Sequence, residues 1–385
     1  MYAVVMQDLS SVSEGQILRS LKSHCQGAEY GFTCHRLAKA RASADDHNMS
    51  MASLFSLFYL FSLVFTYWFV SAAERANYPA QRISASGVER IEIRGVRGKL
   101  RLRGKPGKAF YLGVAHSRGP KSDDWNLQVE KKGAVLVLEV FNTVLGPEWR
   151  QLVKEEQWPE FDLDLQGPSV PAVVSWRDGS LVISGWTAGV ETSLLRGRVD
   201  ILSSRGDFKL QAVNGEVLVR EFKGTLSAKG ERGPVRLSSV SAQVQLNWLS
   251  GKIVADHFRG RLQVDSADGE VVARGARGEW KLNLHGGDVL LEDFEGRLQG
   301  KGESAAWSVH ARGKADLEVV SEKGPVRIQW KGAGPEIFLT SKSGTILAPY
   351  PVQDRDGYQV VERKRSGKTS GRVFVRTDSG DIQVK

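Results

Sequence analysis

Apolar residues return along this chain at a spacing of nine, and the three-and-four spacing of an amphipathic helix is absent. Steps of nine from Gly197 give Gly197, Gly206, Gly215, Gly224, Gly233, Ala242, Gly251, Gly260, Gly269, Gly278, Gly287, Gly296 and Ala305. Two residues after each small residue stands an apolar one, as in Phe208, Val217, Leu226 and Val235. Four residues after, most are apolar again, as in Leu210, Val219 and Leu237. Side chains two apart share one face of a strand, so the pattern predicts a turn followed by a short strand with its apolar face inward.

A nine-residue unit cannot bury its own apolar face, so units must stack. Two units make an 18-residue coil, and a 36-residue super-period supports that pairing. Glu221-Phe222-Lys223-Gly224 returns as His257-Phe258-Arg259-Gly260 and as Asp293-Phe294-Glu295-Gly296. With 18-residue coils, Phe222, Val240, Phe258, Ala276 and Phe294 stack as alternating large and small core layers. The expected fold is all-β: a single-stranded parallel β-solenoid of about 18 residues per coil, preceded by one N-terminal hydrophobic helix. The expected organisation is residues 80–180 as an N-terminal β cap with irregular coils, and residues 181–385 as the solenoid, with a basic insertion at 349–372. Strands are expected near 88–93, 99–103, 127–129 and 135–140, and 147–159 reads as a short helix or loop.

Residues 52–70 carry no charge and are long enough to span a bilayer, and the small residues Ser71, Ala72 and Ala73 follow. Residues 49–73 are therefore expected to be a signal peptide or a membrane anchor, and 1–48 a disordered extension or a mis-assigned start. The expected location is the periplasm or cell surface. Both cysteines, Cys25 and Cys34, precede that stretch, so the remainder has no disulfide framework and no thiolate metal site.

The chain is 41% hydrophobic and 25% charged, which is globular composition. Its net charge is +9, and residues 1–73 hold five basic and five acidic residues, so residues 74–385 carry the whole excess. That excess reads as interspersed surface charge.

The Gly-x-Val-x-Val units, Pro168 ahead of the coils, and the ending Val373-Phe374-Val375-Arg376-Thr377-Asp378-Ser379-Gly380-Asp381-Ile382-Gln383-Val384 resemble a bacterial family of unknown function called "putative adhesin". The resemblance covers about residues 88–385. It implies an exported or membrane-anchored β-solenoid with repeated Ser-Gly-Asp-Val-x-Val stretches and no catalytic residues. This chain often replaces Gly-Asp by Gly-Arg, Gly-Glu or Gly-Pro.

Chemistry is sparse. A calcium β-roll needs regular acids after its glycines, whereas Arg198, Pro234, Lys252 and Arg261 stand at those places here. Asp162 and Asp164 form the one close acid pair that suggests catalysis, and both are expected on the solvent side of a strand. His257, His285 and His310 occupy unrelated coil positions. No catalytic residue, metal site or cofactor is expected. Trp280 and Trp307 sit at inward positions, and Trp248, nearer a turn, is the better candidate for an exposed ring.

Two outward features are candidate binding sites. One is an apolar strip, Leu218, Val254, Val272 and Leu290, in a row interrupted by Arg236, where polar residues should stand. It is expected to be sheltered by residues 100–180 or 345–370, or by a partner. The other is a basic loop, Arg363, Lys364, Arg365 and Lys368. The expected function is a non-catalytic, adhesin-like envelope protein. The alternative is an exported carbohydrate-active β-helix enzyme. The expected partner is an envelope or cell-surface component such as an anionic glycan or lipid, or a second copy of the chain. Nucleic acid is not expected.

Overall fold

The computed structural model of the chain describes residues 76–77, 80–117, 125–146, 154, 158–332, 334–364 and 371–385. The expected helix and anchor at 49–73, and the extension before them, lie outside the described residues. Among the described residues there is no helix, so none is long and apolar enough to cross a membrane.

The inward positions stack as the repeat requires. Val217 pairs with Val235, Val235 with Ile253, Ile253 with Val271, and Val271 with Val289, all in parallel register and all buried. On the opposite side of the coil, Phe208, Leu226, Val244, Leu262, Trp280 and Leu298 form the facing column. Removing each such side chain from water is worth about 1.5–3 kcal/mol, which drives the stacking. The result is a parallel β-solenoid of about nine turns with about 18 residues per turn. Phe222, Phe258 and Phe294 are fully buried with Val240 and Ala276 between them. Trp280, on the same coil as Ala276, fills the space that alanine leaves, edge-on to Phe258 at 5.6 Å and to Phe294 at 5.7 Å.

Two kinds of bend close each coil. One lies at Ser203, Glu221, Ser239, His257 and Asp293, each left-handed with φ between 45° and 55°. The other lies at the ladder glycines. Gly278 has φ 135°, and a Cβ there would sit 1.9 Å from the carbonyl oxygen of Gly260 one coil below. Close approach of backbone to backbone, and not freedom in the turn alone, is what favours glycine along the nine-residue series, where only Ala242 and Ala305 depart from it.

Stacking order departs from chain order at both ends. Strands Arg90–Arg94 and Arg97–Gly104 form the first coil. They pair in parallel with Ala172–Ser184 on one side and with Val135–Asn142 and Glu160–Gly167 on the other. The first coil is thus one coil in from the end of the parallel stack. Antiparallel strands close that end: Trp125–Lys132 on Val135–Asn142, and Ala109–Ser117 on Glu160–Gly167, with Gln81–Ser84 beyond.

The other end repeats the device. The last coil, Arg372–Thr377 with Ile382–Val384, lies between the coil of Asp316–Ser321 and Val326–Lys331 and the coil of Glu336–Ser341 and Ile346–Leu347. Gly380 sits against the carbonyl oxygen of Gly324, and Gly344 against that of Gly380. Buried hydroxyls knit the turns: Thr377 Oγ1 is 2.6 Å from the Gly380 carbonyl and 3.1 Å from Ser341 Oγ. The expected basic insertion contains a hairpin, Gln353–Arg355 and Tyr358–Arg363. Its second strand pairs antiparallel with Glu336–Ser341 and covers the edge.

Candidate functional site

Outward side chains form rows that run along the solenoid, one residue per coil. One side carries Lys209, Ser227, Gln245, Gln263, Lys281 and Gln299. The other carries the strip. Leu218 pairs with Arg236, Arg236 with Val254, Val254 with Val272, and Val272 with Leu290, so these residues do share one row. Val272 is only 7% exposed, and Leu218, Val254 and Leu290 are half-buried.

Their shelter is local. On one flank Lys252 bonds Glu270 at 2.7 Å, and on the other Arg274 bonds Glu292 at 2.8 Å. The aliphatic stems of these paired side chains border the valines. The hairpin 353–363 pairs with Glu336–Ser341, and the cap strands stack beyond Ala172–Ser184, so neither pairs with the strands that bear Val254, Val272 and Leu290.

In the basic loop, Arg363 is half-buried and Lys364 exposed, while Arg365 and Lys368 lie outside the described residues. The Arg363 guanidinium stacks 4.8 Å above the Tyr350 ring and donates to its hydroxyl. That contact anchors the hairpin and draws Arg363 away from free solvent.

Trp248 corrects the sequence expectation, being 1% exposed. It pairs in register with Gly230, and a Cβ on Gly230 would meet its ring at 2.4 Å. The indole thus occupies the space the glycine leaves, and its Nε1 donates to the Gly233 carbonyl at 2.8 Å. Trp280 and Trp307 are core residues, 2% and 1% exposed.

Asp162 and Asp164 do share the solvent side of Glu160–Gly167. Asp162 Oδ1 accepts from the Lys99 backbone N–H at 3.0 Å, and Asp164 pairs with Arg103 at 2.9 Å. Both acids therefore serve the neighbouring strand. Among the described residues no three His, Cys, Asp or Glu side chains gather as a metal site.

Sequence reasoning missed the most concentrated charge. Residues 90–108 hold eight Lys and Arg against one acid, Glu92, which is +7 of the chain's net +9. A windowed charge count would have found it. Folding divides the run. Arg90 and Arg94 pair with Glu92, and Arg94 also with Glu139. Lys99, Arg101 and Arg103 fall two apart on Arg97–Gly104 and face the same side as the strip.

The fold defines a capped parallel β-solenoid protein with outward rows of side chains, one residue per coil. A family model described as "Toastrack DUF4097" matches residues 174–385, and the chain belongs to this family. No curated protein matches it. A "putative cell adhesion protein" from Clostridium sporogenes ATCC 15579 shares 12% identity, with 81% of this chain and 99% of that chain covered and a TM-score of 0.20. A "Putative lipid binding protein" from Parabacteroides distasonis ATCC 8503 also shares 12% identity, with 80% and 97% covered and a TM-score of 0.28. Likeness at that level carries no inference about this chain.

Proposed function

We propose that this chain is a non-catalytic interaction protein of the cell envelope, in which a rigid solenoid holds rows of side chains against a partner. The observation that carries this reading is the separation of core from outward rows. Each coil contributes one residue to a row, as in Leu218, Arg236, Val254, Val272 and Leu290, so a row's chemistry can vary while the stacked core beneath it stays the same. Surfaces of this kind suit extended contact. The uncharged residues 52–70 support delivery to the envelope. An anionic glycan or lipid is the partner class that the +9 charge favours.

The test is fractionation of the native cell, with sequencing of the mature N-terminus and protease shaving of intact cells. Recovery in the envelope fraction with shaving of residues beyond 80 is expected. Recovery of the whole chain in the cytosol would sink the proposal. Purified protein incubated with acidic and neutral polysaccharides should leave their chain lengths unchanged, and shortening would favour the enzyme alternative instead.

A further inference from the structure

We propose that a trough floored by Ser180, Val182 and Ser184, with Lys99, Arg101 and Arg103 along one wall, binds an extended acidic polysaccharide. This rests on the reading above of the chain as a non-catalytic interaction protein, and it names the site and the ligand class.

Elsewhere on the solenoid, cations stand against acids one coil away. Lys252 bonds Glu270 at 2.7 Å, Arg261 bonds Glu279 at 2.8 Å, and Arg274 bonds Glu292 at 2.8 Å. On the cap the acids stand on one side only. Asp164 is the register partner of Arg101 and pairs with Arg103 at 2.9 Å, and Asp162 accepts from the Lys99 backbone. The register partners of Lys99, Arg101 and Arg103 on the other side are Ser180, Val182 and Ser184, with no carboxylate among them. Among the described residues, the side chains of Lys99 and Arg101 form no ion pair. Lys105, which bonds Gln166 at 2.8 Å, adds a further cation at the Arg103 end.

The dimensions suit a chain-like ligand. Alternate residues of a strand are about 6.7 Å apart, so the three cations span roughly 13 Å along one line. Three small side chains lie beside them, and beyond these stand Arg198, Asp200 and Leu202 on the following coil. Two inter-strand spacings set the flanking backbones about 10 Å apart, which leaves room between their side chains for one narrow chain. Like charges held this close on one strand repel one another, and a ligand with regularly spaced carboxylates would relieve that repulsion. The Ser180 and Ser184 hydroxyls can donate or accept along the floor. Lys99, Arg101 and Arg103 are half-buried. Ser180, Val182 and Ser184 beside them are half-buried too, and a single extended chain can lie along these small side chains in reach of the cations.

The probe is labelled polygalacturonate, titrated into the full chain. Binding should weaken as salt rises. Lys99→Gln with Arg101→Gln should weaken it at least roughly tenfold with the melting midpoint unchanged. Ser180→Gln, which fills the floor without altering charge, should also weaken it, and Lys281→Gln on the opposite side should not. Failure of polygalacturonate to bind would overturn the proposal. So would equal binding by the Lys99/Arg101 variant, or binding to phosphatidylglycerol vesicles in place of the polymer. Envelope recovery without polygalacturonate binding would remove this site and leave the broader reading intact, whereas cytosolic recovery would remove the broader reading.

Discussion

Arg372 donates to Asp316 at 2.9 Å, although 56 positions separate them in the chain. The two stand on neighbouring strands, and Glu336 stands on the strand beyond Arg372. In chain order the two acids would be adjacent in this row. Only the intercalated last coil places a cation between them. The hydrogen bond to Asp316 and then its charge hold the Arg372 guanidinium above its ordinary value, with Glu318 and Glu336 adding to the effect.

Arg372→Glu would therefore line up three carboxylates. We expect a loss of roughly 1 kcal/mol in urea unfolding, since like charges directly opposite destabilise a sheet pair. The loss should shrink at about 0.5 M salt, where the Debye length falls below 5 Å. Arg372→Gln should cost less than Arg372→Glu.

Deletion of residues 371–385 removes a middle layer. Hydrogen exchange should then show lost protection in Glu336–Ser341 and Tyr358–Arg363, with protection kept in Arg259–Arg274. Unaltered protection over 336–363 would mean that the outer coil can close directly onto Asp316–Ser321.

Gly278→Ala should cost more than about 3 kcal/mol, because its Cβ would meet the Gly260 carbonyl oxygen at 1.9 Å. Gly332 has a similar φ of 127° with nothing within 4 Å of an added Cβ. Gly332→Ala should therefore cost only about 1 kcal/mol, the backbone part alone. Thermal melts of the two variants separate ladder contact from turn conformation.

Val272→Asp puts a charge at a site that is 7% exposed, between two ion-paired rows. The expected cost is about 3 kcal/mol, with no change of mass by light scattering. Unchanged stability with loss of an oligomer would instead make the strip a partner surface.

The regular part of the fold was legible because its constraint is local and repeated. Glycine at spacing nine, with apolar residues two and four later, leaves one parallel register, and Val217 through Val289 stack in it. Trp248 was misjudged because its surroundings depend on Gly230, a coil away, which the turn position alone does not reveal. The cationic wall is not visible in a charge sum taken over all of residues 74–385, and only a shorter window isolates it. The end layers were hidden for a different reason. Periodicity specifies which residues face inward but not which coil lies on which, and the Asp316, Arg372, Glu336 row is a cue only once their adjacency is suspected.

Because the last coil enters the stack one layer in, the outermost parallel layer on that side, Glu336–Ser341 with Ile346–Leu347, is an internal stretch, held by covalent connections on both sides. A solenoid wound in plain chain order would end like a rope, with a loose strand that can peel. This side is finished like a whipped rope, its last strands tucked beneath the final turn. Peeling there must begin by lifting a loop fastened at both feet, so the outer coil should release together with its neighbour and not residue by residue.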